Sequence, residues 1–506
     1  MSKMQQLIVA GGGPAGLTAA YEATRHGITP LVFEKDKVVG GIARTECHEG
    51  FRFDMGGHRF FTKSEEVNQM WHEVLTDDFL LRPRLSRIYY QQKFFAYPLK
   101  PFNALRGLAL YESAFLMASY CRWKVFPHPK EESFEEWVIN RFGRRLFRTF
   151  FKSYTEKVWG ISTSELKAEW AAQRIKDLSL KRAIVAAIFK PTPGKIKTLI
   201  EEFHYPRKGP GMLWEAVAKA VETAGGEVRM QTGVTKIHRD GMKVTGVTVS
   251  RQADAGPAQE HVPCENFITS MPLTQFVRQL DPPAPQPVLD AADGLKYRDF
   301  LTVCVVVDEP DLFPDNWIYV HDPSVQVGRI QNFGNWSPEM LPEEARGKFT
   351  SLGLEYFCNE GEDLWNTPDE ELVKLAREEL ARIGLVPADK VGRGVVYRVP
   401  KSYPVYDSGY EKHLKTIRDF VDGFENCRTI GRNGLHRYNN QDHSMLTGMY
   451  AVRDLILGET HDLWEVNADK SYHEEDREPK SSAGAKSEGR TKAKKTEGRP
   501  EAVASA

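Results

Sequence analysis

The chain has 506 residues, enough to bury more than one core, so two or three structural units are expected. Hydrophobic residues at 41% and charged residues at 27% describe a water-soluble globular protein, and a formal net charge of −1 gives no support for nucleic-acid binding. The six cysteines, Cys47, Cys121, Cys264, Cys304, Cys358 and Cys427, make no C-x-x-C pair, so no metal site or disulfide framework is implied and a reducing, cytoplasmic setting is expected.

The sequence enters a strand almost at once, so no secretion signal is expected. Leu7 to Ala10 is a short apolar run that reads as a buried parallel strand, and it leads without a spacer into Gly11-Gly12-Gly13-Pro14-Ala15-Gly16. Leu17 to Arg25 then has helical spacing, and Pro30 to Phe33 gives a second strand ending at Glu34, with Lys35 next. This is G-x-G-x-x-G inside a βαβ unit, the pattern of a dinucleotide site. Gly11 permits the tight turn, Gly13 removes a Cβ where a pyrophosphate approaches, and Gly16 lets the helix pack close to the strands, with Ala15 inside the same turn. Glu34, 18 residues beyond Gly16, stands where a carboxylate meets a ribose diol.

Two further glycine pairs follow, Gly40-Gly41 with Arg44 and Gly56-Gly57 with His58. They let backbone pass close to a flat ligand, and Arg44 is suited to offset phosphate charge. From about Phe60 to Lys190 the texture is helical: Val67 to Leu75, Phe102 to Trp123, Ser133 to Phe142 with Ser133 and Glu136 in capping-box spacing, and Leu146 to Tyr154. Leu108 to Tyr120 is the most apolar of these. No run approaches the ~20 apolar residues needed to cross a bilayer, so a core or cap helix is expected there. Arg87 to Pro98 reads as a β-hairpin.

Tyr205 to Met212 leads into a helix from Leu213 to Thr223, followed by short strands near Val228, Gly233 to Ile237, Lys243 to Ser250 and Asn266 to Met271. Residues from about 293 to 398 mix strands such as Leu301 to Val307 with a helix from Asp369 to Ile383, which predicts a second sheet. A helix from Tyr410 to Phe420, a glycine turn at Gly431-Arg432 and a helix from Met445 to Leu457 return the chain to the first unit. The tail from about Asp469 is rich in Lys, Glu, Ser, Gly and Ala, a composition that predicts disorder.

The first glycine unit with its two trailing pairs resembles the FAD-binding half of the flavoprotein amine-oxidase superfamily. Within it, Gly57-His58, Tyr97-Pro98-Leu99, Tyr154 to Gly160, Arg174, Arg329 to Pro338, Tyr403-Pro404 and Gly431 to Ser444 are similar to the UDP-galactopyranose mutases, especially the eukaryotic ones. That resemblance implies an α/β fold: a Rossmann-like FAD-binding domain of the glutathione-reductase type (residues 1–60, 195–275 and 400–460), a mainly helical cap (61–194) and a mixed-sheet substrate domain (276–399), with 469–506 as the tail. Val228 would then bring sheet backbone to the adenine edge.

The resemblance also implies roles. Arg174 and Arg329 match arginines that clamp a diphosphate, Tyr403 and Tyr438 match tyrosines that hydrogen-bond it, and His58 matches a histidine beside the flavin. Tyr154 and Trp159 match cap residues near the uridine, while Gly431, Arg432 and Asp442 belong to the flavin-binding turn. The implied chemistry is attack of reduced-flavin N5 on the anomeric carbon of a UDP-sugar, with ring contraction or expansion, no net oxidation and no metal. NAD(P)H is a candidate external reductant. The same cofactor motifs also resemble protoporphyrinogen-oxidase-like and desaturase-like enzymes that remove hydride from an apolar or amine substrate, and a noncatalytic flavin-binding protein is a third reading. The expected partner is a small molecule, most simply a nucleotide-sugar. No integral membrane segment is expected, and no feature of the sequence sets an oligomeric state.

Overall fold

The computed structural model describes residues 5–97, 110–168, 202–253 and 256–467. Its first strand, Gln5–Ala10, has Leu7, Ile8 and Val9 fully buried. It pairs in parallel with Pro30–Phe33 on one side, Val9 opposite Val32, and with the end of Gly256–Thr269 on the other, Val9 opposite Ile268. Such strands are covered on both faces, which is why they read as unbroken apolar runs. Glu227–Arg229 extends one edge, with Val228 opposite Val32, and Cys427–Thr429 pairs in parallel with Phe267 to Thr269. The first half of Gly256–Thr269 instead joins an antiparallel meander with Lys243–Ala253 and Thr232–Asp240, and Leu280–Asp281 completes the eight strands.

The helices Pro14–Arg25 and Gln441–Val452 cross this sheet in direct contact: a Cβ on Gly448 would lie 2.4 Å from the Ala15 carbonyl oxygen. Two segments some 430 positions apart thus form one packing layer, and the late glycine turn is carried to the early one.

A second sheet has seven strands in the order Val391–Pro404, Tyr297–Val307, Thr350–Cys358, Arg329–Asn332, Trp317–Val320, Ser86–Tyr90, Lys93–Ala96. The expected hairpin therefore forms, with strands Ser86–Tyr90 and Lys93–Ala96, and it takes the edge of this sheet through a parallel pairing of Ser86–Tyr90 with Trp317–Val320. Leu301, Val303, Leu352, Leu354, Ile318 and Ile330 point to one face, where Leu372, Ala376 and Leu380 of the helix Asp369–Arg382 cover them. The two-residue period turns their neighbours to the opposite face, toward the cap.

The cap comprises Leu110–Val125, Phe134–Phe142 and Ser153–Trp159. The capping box forms as spaced: Ser133 Oγ accepts from Glu136 N at 3.3 Å and Glu136 Oε2 accepts from Ser133 N at 3.0 Å. A wider π-type turn over Phe147–Lys152 buries Phe147 and Phe150 just before the last helix. Arg174, Pro98, Leu99, the start of the expected 102–123 helix and the tail from 469 lie outside the described residues. Among the described residues no helix is long and apolar enough to cross a membrane.

Candidate functional site

The first half of the site is made of backbone. A Cβ on Gly16 would sit 1.9 Å from the Gly11 carbonyl oxygen, so no larger residue fits. Gly40 N donates to Gly12 O at 2.8 Å and brings the second glycine pair onto the first turn. Gly13 and Gly41 then face each other, with an added Cβ on Gly41 only 3.3 Å from Gly13 Cα. This bare slot opens at the N-terminus of Pro14–Arg25, where a pyrophosphate is favoured. Beside it Glu34, 6% exposed, accepts from Gly12 N at 2.6 Å and Asp36 N at 2.8 Å; burial raises its pKa in spite of those bonds. Arg44 donates to Glu46 Oε1 at 2.7 Å and Gly41 O at 3.0 Å, which ties it to the second loop. Lys35 stands on the surface, its amine 3.2 Å from Asp36.

The returning chain closes the slot. A Cβ on Gly431 would meet Ala15 Cβ at 2.9 Å, while Gly431 N donates to Thr447 Oγ1 at 2.9 Å and Gly431 O accepts from Asn439 Nδ2 at 3.0 Å. Asp442, in the first turn of Gln441–Val452, is 3% exposed, and burial pushes its pKa up to about 7. Among the described residues, Asp442 Oδ2 and Asn439 Oδ1 are buried without a hydrogen-bond partner. Buried polar atoms are normally satisfied. These orphaned acceptors, together with a cradle that side-chain carbons would fill, fit a bound flavin dinucleotide.

His58 lies where the first unit meets the second sheet. Its Nε2 donates to Met55 O at 2.9 Å, and burial in the cleft, with Arg432 and Arg329 nearby, lowers its pKa to about 4, so it is neutral at pH 7. Gly57 lies against Gln331 Oε1 and the Trp336 ring, at 3.5 and 3.6 Å from the position of an added Cβ. Just upstream the Asp54 carboxylate accepts from the Tyr205 hydroxyl and, at 2.8 Å, from Thr45 Oγ1; burial pushes its pKa up to about 7.

The second half of the site is made by strand register. Tyr319 pairs with Arg329, Arg329 with Glu355, and Glu355 with Thr302, a row of side chains across four strands on the cap-facing side. Arg329 donates from Nε and Nη2 to Glu355 Oε2 at 3.0 and 2.6 Å, and from Nη2 to the Tyr403 hydroxyl at 3.3 Å. Glu355 is fully buried and also accepts from Gln331 Nε2 at 2.6 Å. A guanidinium has five N–H donors, so the three bonds leave two for a ligand.

Above this row Tyr403 and Tyr438 stack at 5.6 Å, Trp159 meets them at 6.0 and 6.3 Å, and the Arg432 guanidinium lies 4.1 Å over Tyr438. Arg432 also donates to Asn439 O at 3.0 Å and Ser402 O at 3.1 Å, so it links the glycine turn to the tyrosine pair. Tyr154 stacks on His321 at 4.4 Å and meets Tyr319 edge-on at 5.7 Å; burial raises its pKa well above the usual phenol value. One helical turn on, Lys157 donates to Val320 O, Asp322 O and Val327 O at 3.2, 3.0 and 3.0 Å, which holds the loop leading to Arg329.

His58, Arg329, Tyr403, Tyr438, Arg432, Tyr154 and Trp159 thus lie around one cleft beside the glycine cradle, while Lys35 stands on the surface and Arg174 falls outside the described residues. Sequence reasoning missed Tyr319, His321, Glu355 and Lys157. The alternation Trp317-Ile318-Tyr319 signals a shared face, but the identity of Arg329's carboxylate partner depends on a register that no local pattern displays.

A family model described as flavin containing amine oxidoreductase matches residues 14–422. Among solved structures, reduced UDP-galactopyranose mutase superposes with a TM-score of 0.78 over 92% of this chain and 98% of that one at 20% identity, a likeness of fold. Curated relatives include dTDP-fucopyranose mutase of Escherichia coli, 26% identical over 33% of this chain and 44% of that protein. Another is 1-hydroxycarotenoid 3,4-desaturase of Flavobacterium sp. (strain P99-3), 23% identical over 49% of this chain and 54% of that one. The chain spans about half the length of these two curated relatives.

Proposed function

Because the chain belongs to the flavin containing amine oxidoreductase family, we propose that it binds FAD in the glycine cradle and acts on a nucleotide-sugar as a UDP-galactopyranose mutase-like isomerase. One observation supports this reading: Arg329 is held by buried Glu355 and by the Tyr403 hydroxyl, and the stacked Tyr403–Tyr438 pair meets Arg432 of the glycine turn, an arrangement suited to a diphosphate. FAD bound there would supply, when reduced, the nucleophilic N5 for the anomeric carbon.

The chain's own residues bind and orient the substrate. Arg329, with Arg174 as the second guanidinium, holds the diphosphate through charge-assisted hydrogen bonds, a task suited to a planar and permanently charged fork. The Tyr403 hydroxyl, kept protonated by burial, and the Tyr438 hydroxyl hydrogen-bond the same oxygens. Tyr154, Trp159 and Tyr319 offer ring faces to the base. Neutral His58, its ring held by the Met55 and Ile42 backbone, borders the flavin edge, and NAD(P)H is the proposed reductant.

The test is turnover. The FAD-loaded protein reduced with dithionite or NAD(P)H should interconvert UDP-galactopyranose and UDP-galactofuranose, and the oxidised protein should not. Reduction of the flavin by substrate alone, one equivalent for each equivalent consumed, would replace this reading with hydride removal.

A further inference from the structure

The helix Leu110–Val125 has one face anchored and one face bare. Leu116 is 2% exposed, Tyr120 and Trp123 pack on the cap core, and Ser119 Oγ accepts from Arg145 N at 3.1 Å, so the inner face is fixed. On the outer side Tyr111 and Phe115 are 64% and 60% exposed, and Val125 and Phe126 at its end are 68% and 61% exposed. Positions 111, 115, 118, 122 and 125 follow one another at helical spacing and Phe126 adjoins them, so these side chains form a single ridge. Among the described residues, four of the eight large exposed hydrophobics lie on this ridge. It is remote in function from the cleft, and the catalytic reading does not use it.

The helix and the segment packed on it through Arg145 carry exposed positive charge: Arg122, Lys124 and Arg144, with Arg148 one turn further on. The Arg122 guanidinium lies 4.5 Å over the Phe126 ring and that of Arg144 4.9 Å over Trp123, so charge and apolar surface are presented together. Glu112, the one acid of this helix, is already engaged by Arg145 at 2.5 to 3.0 Å. A second copy is a poor occupant: a two-fold contact would set Arg122, Lys124, Arg144 and Arg148 against their own images. An anionic surface complements them. Among the described residues no helix is long and apolar enough to span a bilayer, and an exposed face that carries aromatic and basic side chains suits a surface with an anionic layer over an apolar one.

We propose that the ridge of Leu110–Val125, with its basic border, docks the protein peripherally on an anionic lipid surface. The aromatic side chains enter the headgroup region and the guanidinium and ammonium groups meet lipid phosphates and carboxylates. Nothing in this depends on which reaction the cleft performs.

The full-length protein should co-sediment with phosphatidylcholine vesicles that contain phosphatidylserine, and far less with phosphatidylcholine alone. Phe115→Asp with Phe126→Asp, and separately Arg144→Glu with Arg148→Glu, should each lower the bound fraction roughly tenfold or more, with an unchanged thermal unfolding midpoint because all four side chains are exposed. High salt should weaken the wild-type binding. Failure of the wild type to sediment with anionic vesicles, or equal binding by both double variants, would overturn the proposal. So would sedimentation velocity showing a wild-type dimer that the Phe115→Asp/Phe126→Asp protein loses, without vesicle binding; that result would assign the ridge to a second copy.

Discussion

The two sheets build their halves of the cleft by opposite means. The eight-stranded sheet offers backbone: three glycine turns brought together so that carbonyl oxygens, amides and Cα atoms line a slot in which side-chain carbons would not fit. The seven-stranded sheet offers side chains: Tyr319, Arg329 and Glu355 from three neighbouring strands, aligned by pairing. A backbone cradle tolerates no added atom but is indifferent to charge. A side-chain row tolerates changes of size but depends on each charge keeping its partner. Substitutions in the two halves should therefore fail differently.

The largest effect is expected in the cradle. Gly16→Val puts carbon where the Gly11 carbonyl already stands, so the turn must open. Ordinary overpacking costs about 1–3 kcal/mol, and a carbon 1.9 Å from a backbone oxygen that cannot move aside costs more and takes the cofactor's seat with it. The purified variant should carry little or no flavin and melt well below the wild type; normal flavin content would show that the turn is not the cofactor's seat.

Next comes the charged row. Arg329→Ala strands the fully buried Glu355 carboxylate, and breaking a buried pair in this way costs about 3–5 kcal/mol. Adding Glu355→Gln should restore most of that stability in a denaturant titration without restoring activity. Additive losses in the double variant would mean that the two groups do not act as a pair.

A smaller effect joins the halves at Asp54. Burial raises its pKa from 3.8 to about 7, so between these values the folded protein keeps a proton that the unfolded chain has released. Its contribution to stability is therefore complete at low pH, falls as pH rises through that window and levels off above pH 7. Asp54→Asn removes this slope, and the difference in unfolding free energy between variant and wild type should move in favour of the variant by on the order of 3 kcal/mol from pH 4 to pH 7. A pH-independent difference would contradict the buried, proton-binding carboxyl.

The same contrast explains what the sequence displayed. Gly11 to Glu34 and the Ser133–Glu136 capping box are local: the residues that interact are within one or two elements of each other, and turn chemistry alone specifies them. The hairpin at Arg87 to Pro98 is legible in the sequence, but its parallel pairing with Trp317–Val320, more than two hundred positions away, is not, because periodicity carries no partner. Glu355 was missed for that reason. It lies within Thr350–Cys358, where every residue is buried, and nothing in so uniform a strand marks the one carboxylate that must neutralise Arg329. Lys35, next to Glu34 and past the end of the strand Pro30–Phe33, is exposed, with its amine 3.2 Å from Asp36.

The most direct measurement of the central claim is a titration of the oxidised, FAD-loaded protein with UDP, followed through the flavin absorbance and by calorimetry. The account predicts that UDP perturbs the flavin spectrum on binding, and that Arg329→Lys weakens binding roughly tenfold or more while flavin content stays at the wild-type level. Binding of UDP unaffected by Arg329→Lys, or no binding at millimolar UDP, would contradict a diphosphate seat beside the cradle.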